Sequence, residues 1–593
     1  MSLSNEGIRG GRKKQRNSVH TRCVLRAGGV LVLCICLLLG SLTACQNWSS
    51  DKENEKFRKF TEEFFRREVG GNTISIHFNL KHPEEYGIHE ERSSFGNFCT
   101  DIKKQLAAVD QMENVLKTFS YGKLNLENKI TYDVMKSYFE KARKNAKYLL
   151  YEEPLSLVSG IHTQLPVVLS EFALESKQDV EVYLDLLKNL PSYFDSLLHF
   201  EKMKSKEGLF MSEEAAEQVI AQCKAFLEEK EDHELVTSFT ERLKTIQQLS
   251  ESEMSKYMKK NALMLDCYVR PAYEKLIQGL EELKKTGKNK GGLCHLPDGK
   301  TYYEQVAQMM VGTDLSIEEM KEMTKKQMKE DARAIQDEIH VSASADKQWN
   351  PVTILKILKE KMEDIFPKPA DVLVDIKYVP KEMEHVLSPA FYMIPPIDDY
   401  QKNVIYVNRA YVQNPLTLFT TLAHEGYPGH LYQTTYFADT DPDPVRNVFS
   451  TGGYIEGWAT YVEMMSYYMA PVSKIQATLF QRNSSMLLGM YALADMGIHY
   501  DGWDREAVQT FFSDYGIKEK DAVERIYDLI VGAPGNYLKY YIGYLEFLEL
   551  KKSWMEHMGN AFSQKDFHRA VLEIGPAPFE IVEKYIEAVS NVG

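Results

Sequence analysis

The chain has 593 residues, 44% hydrophobic and 26% charged, with a formal net charge of −14. That length allows several apolar cores, and the balance excludes a disordered chain or one that crosses a membrane many times. Beyond the first 44 residues no long basic block occurs, which argues against a nucleic-acid partner.

The N-terminus stands apart. Arg9, Arg12, Lys13, Lys14, Arg16, Arg22 and Arg26 precede an apolar run from Ala27 to Leu39, the pattern of a secretory signal. Leu42-Thr43-Ala44-Cys45 then resembles the lipobox of bacterial lipoproteins. The resemblance implies that residues 1–44 are removed, that Cys45 is lipidated, and that the protein is tethered outside the cytoplasmic membrane. The processed chain would carry 64 basic and 84 acidic residues. Its other cysteines, Cys99, Cys223, Cys267 and Cys294, form no C-x-x-C pair, so they offer neither a thiolate zinc site nor a redox motif.

Residues 45–55 are polar and read as a tether. From 56 to 290 amphipathic helices dominate, with Val219, Ile220, Cys223, Phe226 and Leu227 at helical spacing. The Gly/Lys-rich stretch Lys284–Gly292 marks a boundary, so an N-terminal helical domain (56–290) and a catalytic helical domain (291–593) are expected. Ser316-Ile317-Glu318-Glu319 has the form of a capping box. Val372, Val374, Ile376 and Tyr378 alternate as in a strand, and Ala390–Met393 and Val404–Val407 are two further extended candidates. The expected fold is therefore mainly α, with one small antiparallel β-sheet (372–408) just before the motif that follows.

Ala423-His424-Glu425-Gly426-Tyr427-Pro428-Gly429-His430 departs from the zinc-protease pattern H-E-x-x-H by two residues. On a regular helix His424 and His430 would stand about 240° apart. Pro428 lacks the N–H that would bond back to residue 424 and its ring crowds that carbonyl, so the helix must break or bulge there. Gly429 tolerates backbone angles that other residues resist. The late histidine and the Pro-Gly pair thus explain each other, and His424 and His430 are candidate ligands of one ion. Glu456, in the apolar stretch Gly453-Tyr454-Ile455-Glu456-Gly457-Trp458, is the third candidate, because an unpaired carboxylate there would be costly. Pairing with an arginine is the plainer use of that acid. Glu463, two turns further, is placed to orient a ligating imidazole. Glu425 occupies the position of the general base in H-E-x-x-H enzymes, and one Zn2+ is the expected cofactor.

Together with these, Leu296–Tyr303, Ser388–Tyr392, Glu456–Ala459, Asp495–His499 and Pro534–Gly543 form an ordered set of landmarks. The set resembles the bacterial DUF885 family and, more distantly, helical zinc peptidases of the gluzincin type. The resemblance implies a zinc metallohydrolase with a deep cleft. Asn536 and Tyr541 stand where that family more often has Gln and Lys, so a substrate contact is expected to differ.

An oxyanion at the scissile carbonyl needs a donor. Tyr537, Tyr540, Tyr541 and Tyr544 fall on one face of a helix starting near Pro534-Gly535, with an aromatic core stripe as the alternative use. Tyr540 matches the family position and is the expected donor, with His499 a second candidate. Arg525, and less so Arg482, could pair with a substrate carboxylate, and Tyr537 and Tyr541 could contact substrate. The expected function is hydrolysis of amide bonds in short peptides. The alternatives are an amidase on cell-wall or acylated amino-acid substrates and a non-catalytic peptide-binding surface lipoprotein. The sequence does not define the oligomeric state.

Overall fold

A computed structural model of the chain describes residues 50–590, apart from 90–91, 229–232, 290, 337–349, 380, 382–383, 385–387 and 412–414. The signal segment and Cys45 lie outside the described residues. Helix Ser50–Val69 begins within the segment read as a tether, with Phe57, Phe64 and Phe65 on its buried face. The described chain is mainly helical, with one three-stranded sheet.

Local chemistry accounts for many of the helix ends. Ser316 caps helix Ile317–Gln336 as expected: Glu319 N–H donates to Ser316 Oγ at 3.3 Å, and Ser316 N–H donates back to the Glu319 carboxylate at 2.8 Å. Val219, Ile220 and Cys223 are buried on helix Glu213–Glu228. Two large apolar cores result. One packs Leu184, Leu187, Leu197, Tyr273 and Leu276 together. The other joins Phe57, Phe64 and Phe139 to Tyr303, Leu422, Trp458 and Phe547. The early helices therefore share a core with the C-terminal half, while the other core ends at Leu280 and the shared one resumes at Tyr303, on either side of residue 290.

The sheet differs from expectation in one respect. Its strands β1 (Leu373–Tyr378), β2 (Ala390–Met393) and β3 (Lys402–Val407) lie in the order β1-β3-β2. β2 runs antiparallel to β3, with Ala390 opposite Val407, but β1 runs parallel to β3, with Leu373 opposite Lys402. The sheet is mixed, not antiparallel. The chain between β1 and β3 is long enough to cross over, as a parallel pair requires, and it forms β2 on the far edge on its way back. Ile405 and Val407 of β3 are fully buried. Ile405 reaches Gly426, so the sheet forms a wall against the end of helix Pro415–Glu425.

Candidate metal centre

The apolar run before the motif forms helix Pro415–Glu425, with Leu418, Phe419, Leu422 and Ala423 buried. It carries His424 and Glu425 into the interior. The helix then ends rather than bulging. The Tyr427–Pro428 peptide is cis, and a second helix, His430–Asp439, starts two residues later. Tyr432 N–H reaches back to the carbonyl of Gly426 at 3.2 Å, which closes a widened turn around the proline. Gly429 lies so close beneath the first helix that a Cβ would stand 1.9 Å from the His424 carbonyl oxygen. Any side chain there would displace one of the two histidines. Trp458, fully buried, donates its indole N–H to the Pro428 carbonyl at 3.0 Å.

That tryptophan belongs to helix Gly452–Ser466, which also carries Glu456 and Glu463. The two imidazole rings lie 4.8 Å apart at 78°. Glu456 Oε2 stands 3.6 Å from His424 Nε2 and 3.4 Å from His430 Nε2. The three candidate ligand atoms all lie within 4.8 Å of one another, and all three residues are buried. Donor atoms about 2.1 Å from a tetrahedral zinc ion stand about 3.4 Å apart, so the carboxylate-to-imidazole spacings match a shared ion. Glu456 Oε2 is buried and makes no hydrogen bond in the protein, an arrangement that costs free energy unless a cation sits there.

Neighbouring groups complete the cluster. His424 Nδ1 lies 2.9 Å from Glu463 Oε2, so its Nδ1–H donates to the carboxylate and Nε2 is turned inward. Glu425 Oε2 accepts the N–H of Tyr392 at 3.1 Å. Because Tyr392 is in β2, the edge of the sheet fixes the acid next to the first histidine. Burial would lower the His424 pKa, but Glu456, Glu463 and Glu425 together raise it to about 10. Burial also opposes ionisation of Glu456, yet Lys539 and the two imidazoles hold its carboxyl well below the usual range. Three carboxylates around two imidazoles thus demand positive charge.

The other expected residues divide sharply. Tyr540, on helix Asn536–Met558, stacks its ring 6.4 Å from that of His424 at 29°. Its neighbours on the expected stripe do not join it. Tyr537 stacks on Tyr491 at 4.9 Å. Tyr541 is buried with its hydroxyl 3.5 Å from Ser485 Oγ, and Tyr544 is buried beside it. The aromatic stripe is largely core, and Tyr537 and Tyr541 are not presented as substrate contacts. His499 is also spoken for. Its Nδ1 accepts the Leu293 N–H at 3.1 Å and its Nε2–H donates to the Ile530 carbonyl at 2.9 Å. Burial lowers its pKa to about 4, so it is a neutral brace between segments rather than an oxyanion donor. Arg482 pairs with the buried Asp331 at 2.7 Å. Arg525 points outward from the exposed side of helix Lys520–Gly532, whose buried face is Val523, Ile526, Tyr527 and Ile530.

Two contributors escaped the sequence reading. Lys539 Nζ lies 3.4 Å from Glu456 Oε1, and the Tyr392 backbone holds Glu425. Lys539 adjoins Tyr540 in sequence, but only the helix crossing shows which carboxylate it meets. At that crossing a Cβ on Gly457 would stand 2.4 Å from the carbonyl carbon of Gly543, so the two helices touch through backbone.

The profile of the family described as bacterial protein of unknown function (DUF885) matches residues 98–586. The chain belongs to this family. Among solved structures, a candidate lipoprotein from Colwellia psychrerythraea is similar, with a TM-score of 0.79 at 17% identity, over 92% of this chain and 100% of that one. A candidate lipoprotein of unknown function from Shewanella oneidensis is similar with a TM-score of 0.61 at 16% identity, over 91% of this chain and 100% of that one. At these identities the likeness concerns the fold. Comparison with curated proteins gave no match.

Proposed function

We propose that this DUF885 protein is an extracytoplasmic, lipid-anchored metallohydrolase that cleaves amide bonds in short peptides. The observation that carries the reading is the buried trio of His424, His430 and Glu456, with Glu456 Oε2 turned to both imidazoles and Glu425 beside them. Two neutral nitrogen donors and one carboxylate suit Zn2+ and leave room for a fourth ligand. A divalent cation held there would acidify water and polarise an amide carbonyl.

The protein's own groups supply the rest. Glu425 is held by the Tyr392 N–H next to the first histidine, where its carboxylate takes the proton of the attacking water. Glu463 keeps His424 in the tautomer that presents Nε2. Tyr540, beside His424, donates its hydroxyl to the oxyanion that develops at the carbonyl. The membrane anchor rests on Leu42-Thr43-Ala44-Cys45 together with the candidate-lipoprotein description of the two solved relatives.

Metal analysis of the purified protein is expected to give one ion per chain. A mixed peptide library, read by mass spectrometry, is expected to be cut before chelation, spared after it, and cut again when Zn2+ is restored. A metal-free protein, or cleavage that survives complete chelation, would overturn the reading.

A further inference from the structure

Glu456 is shared between two positive partners. Its Oε2 faces the two imidazoles at 3.4 and 3.6 Å, whereas its Oε1 lies 3.4 Å from Lys539 Nζ. Among the described residues, the ion pair of Lys539 is with Glu456. The lysine is not a loose surface chain, since its side chain is only 12% exposed. Its stem runs along Gly452, where an added Cβ would meet Lys539 Cβ and Cδ at 3.4 Å, and its ammonium lies 5.0 Å from the centre of the Tyr540 ring. Backbone contact between Gly457 and Gly543 fixes the two helices, and with them the distance from lysine to carboxylate.

A cation this close to a second cation weakens metal binding by Coulomb repulsion. The arrangement therefore serves orientation rather than affinity. A carboxylate can ligate through one oxygen or both. If Glu456 used both, it would fill the position that water and substrate need on a catalytic ion. We propose that Lys539 is a positioning residue that engages Glu456 Oε1, confines the carboxylate to ligation through Oε2, and so keeps one metal position open. The inference rests on the metal reading given above.

Cobalt substitution separates the two ideas, because Co2+ absorbs visible light more strongly in four-coordinate than in five-coordinate sites. The wild-type protein is loaded with Co2+ alone and compared with K539M, K539Q and K539R at matched occupancy. The wild type is expected to give an intense four-coordinate spectrum. K539M and K539Q are expected to keep one cobalt per chain, bound no more weakly, with a loss of absorption and a band shift as the carboxylate becomes bidentate. K539R is expected to restore the wild-type spectrum. Superimposable spectra in whichever neutral variant folds, or loss of cobalt from a folded neutral variant, would overturn the positioning role and leave the metal reading standing. A wild type that takes up no cobalt would instead remove the metal reading itself.

Discussion

Glu425 and Glu463 are both acids beside His424, yet their surroundings give them different work. Glu463 spends an oxygen on His424 Nδ1, whereas Glu425 is pinned by a strand N–H on the other side. Glu425→Gln should keep the ion but lower kcat by roughly a hundred- to ten-thousand-fold, the usual contribution of a general base. Metal analysis alongside steady-state peptide cleavage checks this, and full turnover in that variant would remove the assigned base. Glu463→Gln should act on the metal instead, weakening affinity by about 10–100-fold as partners of ligating histidines do. Competition with a chromophoric chelator would measure that loss.

Helices Gly452–Ser466 and Asn536–Met558 form the element pair on which the site depends. Their approach is set by Gly457 and Gly543: a Cβ on Gly457 would stand 2.4 Å from the Gly543 carbonyl carbon, and one on Gly543 would stand 2.4 Å from the Gly453 carbonyl oxygen. Helix Asn536–Met558 is also anchored at its start. Gly535 adopts φ 73°, a left-handed conformation that favours glycine, and donates its N–H to the buried Asp495 at 2.9 Å. Gly543→Val should force the helices apart and cost about 1–3 kcal/mol of stability, as overpacking does. It should lower Tm and metal affinity together, because the displaced helix Gly452–Ser466 carries the ligand Glu456 out of reach of His424 and His430. A variant with wild-type Tm and affinity would show that the crossing tolerates a larger separation.

For the molecule as a whole, two acids raised by burial, the buried Asp495 and the part-buried Glu546, shape the pH response. Burial pushes Asp495 up to about 7 despite hydrogen bonds from Gly535 and Tyr303, and burial likewise raises Glu546 to about 7. Both folded-state values exceed those of the unfolded chain, so the native state holds these protons more tightly. Their contribution is fully present below about pH 4 and is lost as pH rises to about 7. Each group then costs roughly 1.4 kcal/mol per pH unit across that window. Urea midpoints at saturating metal should fall between pH 5 and 7, and Asp495→Asn should flatten part of that slope. An unchanged slope in the variant would assign the effect elsewhere. The membrane tie is a separate matter, since no helix among the described residues is long and apolar enough to cross a bilayer. Replacing Cys45 with serine should abolish labelling by a radioactive fatty acid.

Patterns that depend on a few consecutive residues were readable directly. The capping box at Ser316, the strand at Ala390–Met393 and the break forced by Pro428 each follow from backbone chemistry within one turn. The grouping of His424, His430 and Glu456 was also legible, because a buried carboxylate and two late-spaced histidines have few compatible uses. The amino-acid order therefore determined which residues need a common partner. It did not determine strand direction, since alternation of period two is identical in parallel and antiparallel pairs. Nor did it sort four tyrosines of one helix face, or show that the nitrogens of His499 were already engaged. Those outcomes depend on which distant backbone or side chain lies opposite each group, and only tertiary packing decides that.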